Sequence, residues 1–132
     1  MNRAIDAVTV EITGNLLLSI AEEMGVTLIK SAYSTNIKER RDISTAIFDE
    51  QGNMVAQAEH VPMHLGSLLG IIKEIYKKFP PITIRKGDMF IGNDPYNGGG
   101  THLPDITIAA PVFSRERLIG WVANLAHHSD VG

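Results

Sequence analysis

Ile106-Thr-Ile-Ala-Ala-Pro-Val-Phe113 and Leu118-Ile-Gly-Trp-Val-Ala-Asn-Leu125, separated by the charged run Ser114-Arg-Glu-Arg117, decide how this chain folds. Both segments are rich in β-branched and aromatic residues and flank a polar turn, so they read as the two strands of a hairpin. Antiparallel pairing returns the second strand to the edge where the first began. Asp105, which leads into the first strand, is therefore expected beside the residues that leave the second, His127 and His128.

Outward from that hairpin on the N-terminal side runs Ile91-Gly-Asn-Asp-Pro-Tyr-Asn-Gly-Gly-Gly-Thr-His-Leu-Pro-Asp105. Asn93, Asp94 and Pro95 favour a turn. Gly98, Gly99 and Gly100 permit backbone angles closed to other residues, so the loop is expected to wrap a ligand, with Gly99 and Gly100 against substrate. Pro104 makes a helix through His102 and Asp105 unfavourable, yet two ligands three apart on a tight turn still converge. On the other side, Asn124-Leu-Ala-His-His-Ser-Asp130 supplies more donors. Adjacent strand residues point to opposite faces, so only one of His127 and His128 shares a face with the glycine loop, and parity alone does not choose between them. His102, Asp105 and one of that pair make a two-histidine, one-carboxylate set, which suits a divalent transition metal with positions left open for substrate.

The 132 residues amount to one domain's worth of chain. With 44% hydrophobic and 20% charged residues and a net charge of -3, the composition is globular and lacks the basic footprint of a nucleic-acid binder. Cysteine is absent, which excludes a disulfide framework and thiolate chemistry and leaves only nitrogen and oxygen donors. The N-terminus lacks a signal-peptide core and no run approaches the ~20 apolar residues of a membrane span, so a cytoplasmic location without a membrane partner is expected.

Ile12, Leu16, Ile20, Met24 and Leu28 recur every fourth residue between Ala7 and Ala32, with Leu17 and Ala21 widening the stripe, predicting a long amphipathic helix with that surface on the core and Asp6 capping its start. The polar run Ser34 to Asp42 follows. Arg40, Arg41 and Asp42 are candidates for binding an anionic group of a substrate, since a guanidinium forks onto a carboxylate or phosphoryl oxygen. Ile43–Asp49 and Met54–Ala58 flank Glu50-Gln-Gly-Asn53 and predict a first hairpin. His60 and His64 have the spacing of a helical pair, but Pro62 between them argues against a shared helix, leaving them as substrate-facing candidates. Leu65, Leu68, Leu69, Ile72, Ile75, Tyr76 and Phe79 form the stripe of a second helix that Pro80-Pro81 stops, and Met89 to Gly92 is a short strand. The expected fold is α+β: an antiparallel sheet of about five strands with two amphipathic helices on one face.

No G-x-x-x-x-G-K-[ST] loop is present, so ATP is not expected on this chain, and Ser67 lacks the elbow of a serine nucleophile. Asp94 and Asp130 are candidates for orienting a ligating histidine. Glu39 or Glu59 could act as general base, and His128 is kept with the catalytic candidates.

Read in order, Leu17-Leu-Ser-Ile-Ala-Glu-Glu-Met-Gly25, Asn36-Ile-Lys-Glu-Arg-Arg-Asp42, Ala56-Gln-Ala-Glu-His60, His64-Leu-Gly-Ser67, Asn93-Asp-Pro-Tyr96, Gly99 to Asp105 and Ala126-His-His-Ser-Asp-Val-Gly132 resemble the N-terminal part of the hydantoinase B family. That family includes N-methylhydantoinase B subunits, the matching half of 5-oxoprolinase, and subunits of acetone and acetophenone carboxylases. The resemblance implies a metal held by His102, Asp105 and His127, with manganese, iron or zinc as the ion. It further implies a hydantoinase A-like partner subunit that binds ATP and phosphorylates a small-molecule substrate, and hydrolysis of a cyclic amide of the hydantoin or oxoproline type. Carboxylation of a ketone is the alternative within the family, and a non-catalytic fragment acting as a scaffold is the alternative outside it. The chain departs from the family pattern in its third glycine and in its length, since members continue for several hundred residues beyond this point. An incomplete sheet or helix surface, and hence homo-oligomerisation, is expected of residues 1–132 taken as a single domain.

Overall fold

In a computed structural model, which describes residues 5–59, 66, 68–97 and 99–129, the long hairpin is the centre of the molecule. Strands β4 (Asp105–Ser114) and β5 (Arg117–His127) pair from Asp105 opposite His127 to Ser114 opposite Arg117. The turn is tighter than expected because Arg115 adopts a left-handed conformation (φ 55°), which lets the strands continue to Ser114 and Arg117. The first hairpin, β1 (Ile43–Phe48) and β2 (Met54–Glu59), adds to the free edge of β5, and β3 (Phe90–Gly92) adds to the free edge of β4. The order β2-β1-β5-β4-β3 is antiparallel throughout, and with three α-helices among the described residues, α1 (Ala7–Ser31), α2 (Thr35–Lys38) and α3 (Ile71–Lys78), the fold is α+β.

The two long helices lie on opposite faces of this sheet, a correction to the expectation that they share one. Ala46 and Phe48 of β1 point with Ala109, Trp121, Ala123 and Leu125 into a core closed by Leu68, Ile71, Ile72 and Ile75. Trp121 donates its indole N–H to the Tyr76 hydroxyl at 2.8 Å, and that hydroxyl donates to the Glu50 carbonyl at 2.7 Å, tying α3 to both hairpins. Thr45, of opposite parity, donates to the Ala21 carbonyl of α1 at 2.6 Å, while Ile43 and Ala126 pack with Ile37 and the C-terminal end of α1. Periodicity shows that a helix has an apolar side; it does not say which face of a sheet that side covers, and β1 is buried on both.

Asp6 caps α1 as expected, accepting from the Thr9 amide and hydroxyl. Of the predicted surface Leu17, Ala21, Met24 and Leu28 pack, together with Gly25, whereas Ile12, Leu16 and Ile20 are exposed. A spacing of four drifts by about 40° per step around a helix of 3.6 residues per turn, so a line that starts on the packed side at Leu28 has wound off it by Ile20. Nor is α1 short of apolar residues: by length and composition alone it is long enough to cross a membrane, contrary to the expectation for this chain.

The second helix is shorter than its stripe. Gly70 opens it in a left-handed conformation (φ 94°), Leu68 and Leu69 precede it in a turn, and Leu69 and Phe79 are exposed. Leu65 lies outside the described residues. The one-turn α2, inside what reads as a solvated polar run, is anchored by the buried Ile37.

Candidate metal centre

The ladder register sets Asp105, first residue of β4, directly opposite His127, last of β5. A tight turn, closed by the Asp105 amide donating to the His102 carbonyl at 2.9 Å, brings His102 back over the same carboxylate. Gly100 makes the approach possible: its φ is +123°, and a Cβ there would stand 2.5 Å from the Asp105 Cβ. Gly99 is equally constrained, since its Cβ would meet the Asp94 amide nitrogen at 2.5 Å. The glycines thus let the loop close on its own aspartates.

Asp105 is fully buried. Its Oδ2 accepts from the Thr101 amide at 2.9 Å, the Thr101 hydroxyl at 2.6 Å and His102 Nδ1 at 2.9 Å, and its Oδ1 faces His127 Nδ1 at 3.2 Å. Burial by itself raises this carboxyl's pKa, but the two Thr101 donors, His127 and the charge of His102 together outweigh it and hold the group at about 2. An ionised carboxylate only accepts, so both imidazoles turn Nδ1–H toward it. Their rings stack with centroids 4.8 Å apart, and one donor atom from each of the three residues lies within 4.8 Å of the others. Two imidazoles and a carboxylate kept anionic in a buried position are a donor set that fits a divalent transition metal, with half-exposed His102 leaving one side open to solvent.

Parity separates the histidine pair. His127 points to the side of Asp105, whereas His128 lines a groove on the opposite face with Ile106, Ile108 and Ala126. Asp94 is spent within its own turn, accepting from the Tyr96 amide and the Asn97 side chain. Glu39 ends α2 and is exposed, as are Arg40 and Arg41, the latter at φ 55°. Asp42 is half-buried and lends its backbone carbonyl to the His127 amide at 3.0 Å, so its position fixes the end of β5. His60, His64 and Asp130 lie outside the described residues, and nothing is described of the Glu59 side chain. Thr101, the residue that grips Asp105 most closely, was not singled out in the sequence; its place four residues before a loop aspartate is the only signal it gives.

A sheet whose central hairpin ends on such a cluster is the class of structure in hand, and comparison with known proteins gives the class a family. The family model for hydantoinase B/oxoprolinase matches residues 6–132, and the chain belongs to that family. It is 50% identical over 130 residues to protein MJ0963 of Methanocaldococcus jannaschii, covering 97% of this chain and 23% of that protein. It is 46% identical over 129 residues to 5-oxoprolinase of Saccharomyces cerevisiae, covering 97% of this chain and 10% of that enzyme. The crystal structure of the ATP-dependent caprolactamase from Pseudomonas jessenii superposes with a TM-score of 0.85 at 32% identity, over 98% of this chain and 22% of that one. The chain therefore spans between a tenth and a quarter of the length of the relatives it matches.

Proposed function

We propose that residues 1–132 carry the metal site of a B-type subunit that hydrolyses a cyclic amide, of the hydantoin or oxoproline type, with an ATP-binding A-type partner. The observation that supports this reading is the convergence of His102, Asp105 and His127 at the open end of the central hairpin. Family membership supports the reaction class: the yeast relative is named a 5-oxoprolinase, and the structural neighbour is named an ATP-dependent caprolactamase. Manganese, iron or zinc would be held by the two imidazoles and the carboxylate and would act as a Lewis acid toward a carbonyl or a bound water. The chain's own residues do the holding: Thr101 keeps Asp105 ionised against the effect of its burial, the ladder position fixes where it stands, and Asp105 orients both imidazoles. ATP is assigned to the partner because the sequence of this chain contains no G-x-x-x-x-G-K-[ST] loop.

Elemental analysis of purified chain reconstituted with manganese, iron or zinc tests the reading, with His102→Ala and Asp105→Asn compared under conditions where all remain folded. Near-stoichiometric metal lost in both variants is the expected result. Absence of metal from folded wild-type chain would favour a scaffold without a working site.

A further inference from the structure

From Ala7 to Ile20, helix α1 is exposed at every residue but Leu17. Over those ~20 Å of helix the solvent meets Val8, Val10, Ile12, Leu16, Leu18 and Ile20, each at least two-fifths exposed. The segment is also a poor helix former, with Val8, Thr9, Val10, Ile12, Thr13 and Gly14 in succession or nearly so. Isolated helices of that length are marginal even for alanine-rich sequences. A projecting, β-branched, apolar half-helix is a surface that something must cover.

The uncovered surface continues off the helix. A groove of about 460 Å³ runs between Ile20, Met24 and Leu28 of α1 and Thr45 and Asn124 of the sheet. Beyond it a second, of about 400 Å³, is floored by Ile106, Ile108 and Ala126. At the far edge Ile91 of β3, paired with Ile108, stands 74% exposed. The helix and the bare half of the sheet thus form two walls of one cleft, apolar along the sheet and edged by Glu23 and Thr27 on the helix, on the face opposite the metal centre.

We infer that this cleft is the seat of the polypeptide outside the matched region in full-length relatives, and that packing there holds the N-terminal half of α1 helical. The share of the relatives outside the match, more than three quarters of their chains, supplies an occupant of ample size. The apolar floor of Ile106, Ile108 and Ala126 favours it over a transient partner, because obligate interfaces resemble a domain core cut in two, and Glu23 is the one carboxylate on the walls. The inference rests on family membership and is independent of the metal reading.

The test replaces the matched 130 residues of MJ0963 with this chain and compares amide exchange in the chimera and in the isolated chain. Residues 7–20 are expected to exchange freely in the isolated chain and to be protected at least tenfold in the chimera. Ile12→Asp and Leu16→Asp abolish that protection, whereas Ile82→Asp, at an exposed site outside the cleft, leaves it unchanged. Protection in β4 and β5 confirms folding in each case. Should the chimera not fold, the same exchange is read on the chain mixed with the separately expressed remainder, where a one-to-one complex protecting residues 7–20 is required. Equal exchange with and without the remainder overturns the inference. So does protection that tracks a dimer of the isolated chain, or that arises only on phosphatidylcholine–phosphatidylglycerol vesicles.

Discussion

Asp105 Oδ1 and His127 Nδ1 face each other at 3.2 Å across the β4–β5 ladder, from positions 22 residues apart in the chain. Strand parity makes the neighbouring His128 its opposite: same segment, other face. His127→Ala is therefore expected to weaken metal binding by more than about tenfold, the scale on which even groups behind a ligand act. His128→Ala should leave it unchanged. Competition titration of both variants with a chromophoric chelator separates them, and equal losses would refute the assignment.

Gly100 and Gly87 both sit at positive φ, but only Gly100 has a neighbour where its Cβ would be. Gly87→Ala carries backbone strain alone, about 1 kcal/mol. Gly100→Ala adds a collision with the Asp105 Cβ, worth about 1–3 kcal/mol more, and displaces the carboxylate. Urea unfolding of the two variants should show that difference, with metal binding lost in Gly100→Ala only.

The Tyr76 hydroxyl connects the fully buried Trp121 with the Glu50 carbonyl. Removing it in Tyr76→Phe strands a buried indole N–H, at a cost of about 1–3 kcal/mol. Thermal unfolding followed by Trp121 fluorescence measures it directly, since no other tryptophan is present.

Asp49 organises the first hairpin's turn, accepting from the Asn53 side chain and the amides of Asn53 and Gln51. Those bonds, the Asn53 side chain's foremost, hold its carboxyl below the usual carboxylate range. A depressed pKa stabilises the fold above the unfolded value and ceases to do so as the folded group protonates. Tm should therefore fall as pH drops below about 4, and the fall should be shallower in Asp49→Asn. An unchanged slope in the variant would assign the acid sensitivity elsewhere.

How much of this was legible in the sequence follows from the range over which each signal acts. The two hairpins were, because alternating apolar strands around polar turns are local patterns, and the β4–β5 pairing then carried Asp105 to the His127–His128 end of β5. The choice of His127 came from the family resemblance, and the register Asp105 opposite His127 is seen only in the structure. The helix faces were legible only in part. The predicted surface of α1 held both Ile12 and Ala21, and which of them meets the sheet depends on a drift of about 40° that a four-residue spacing hides. Burial of Ile43 to Ala46 on both sides of β1 allows helices on either face. Asp94 and Thr101 show the same limit at the site: both are polar loop residues near glycines, and only the register of the turn reveals that Thr101 grips Asp105 while Asp94 caps its own loop.

Thr101 offers the sharpest test because its two bonds to Asp105 can be separated. The amide bond survives any side-chain change, whereas Thr101→Val keeps the shape and deletes the hydroxyl that donates at 2.6 Å. With that donor gone, burial counts for more and the Asp105 pKa rises from about 2 toward the ordinary carboxylate range. The group remains ionised at neutral pH, so the loss appears in orientation rather than charge. Metal affinity should fall about 10–100-fold with the two histidines and the fold intact. Thr101→Ser, which restores the hydroxyl, should recover most of it. If valine and serine variants bind metal alike, Asp105 is positioned by the ladder and the Thr101 amide alone.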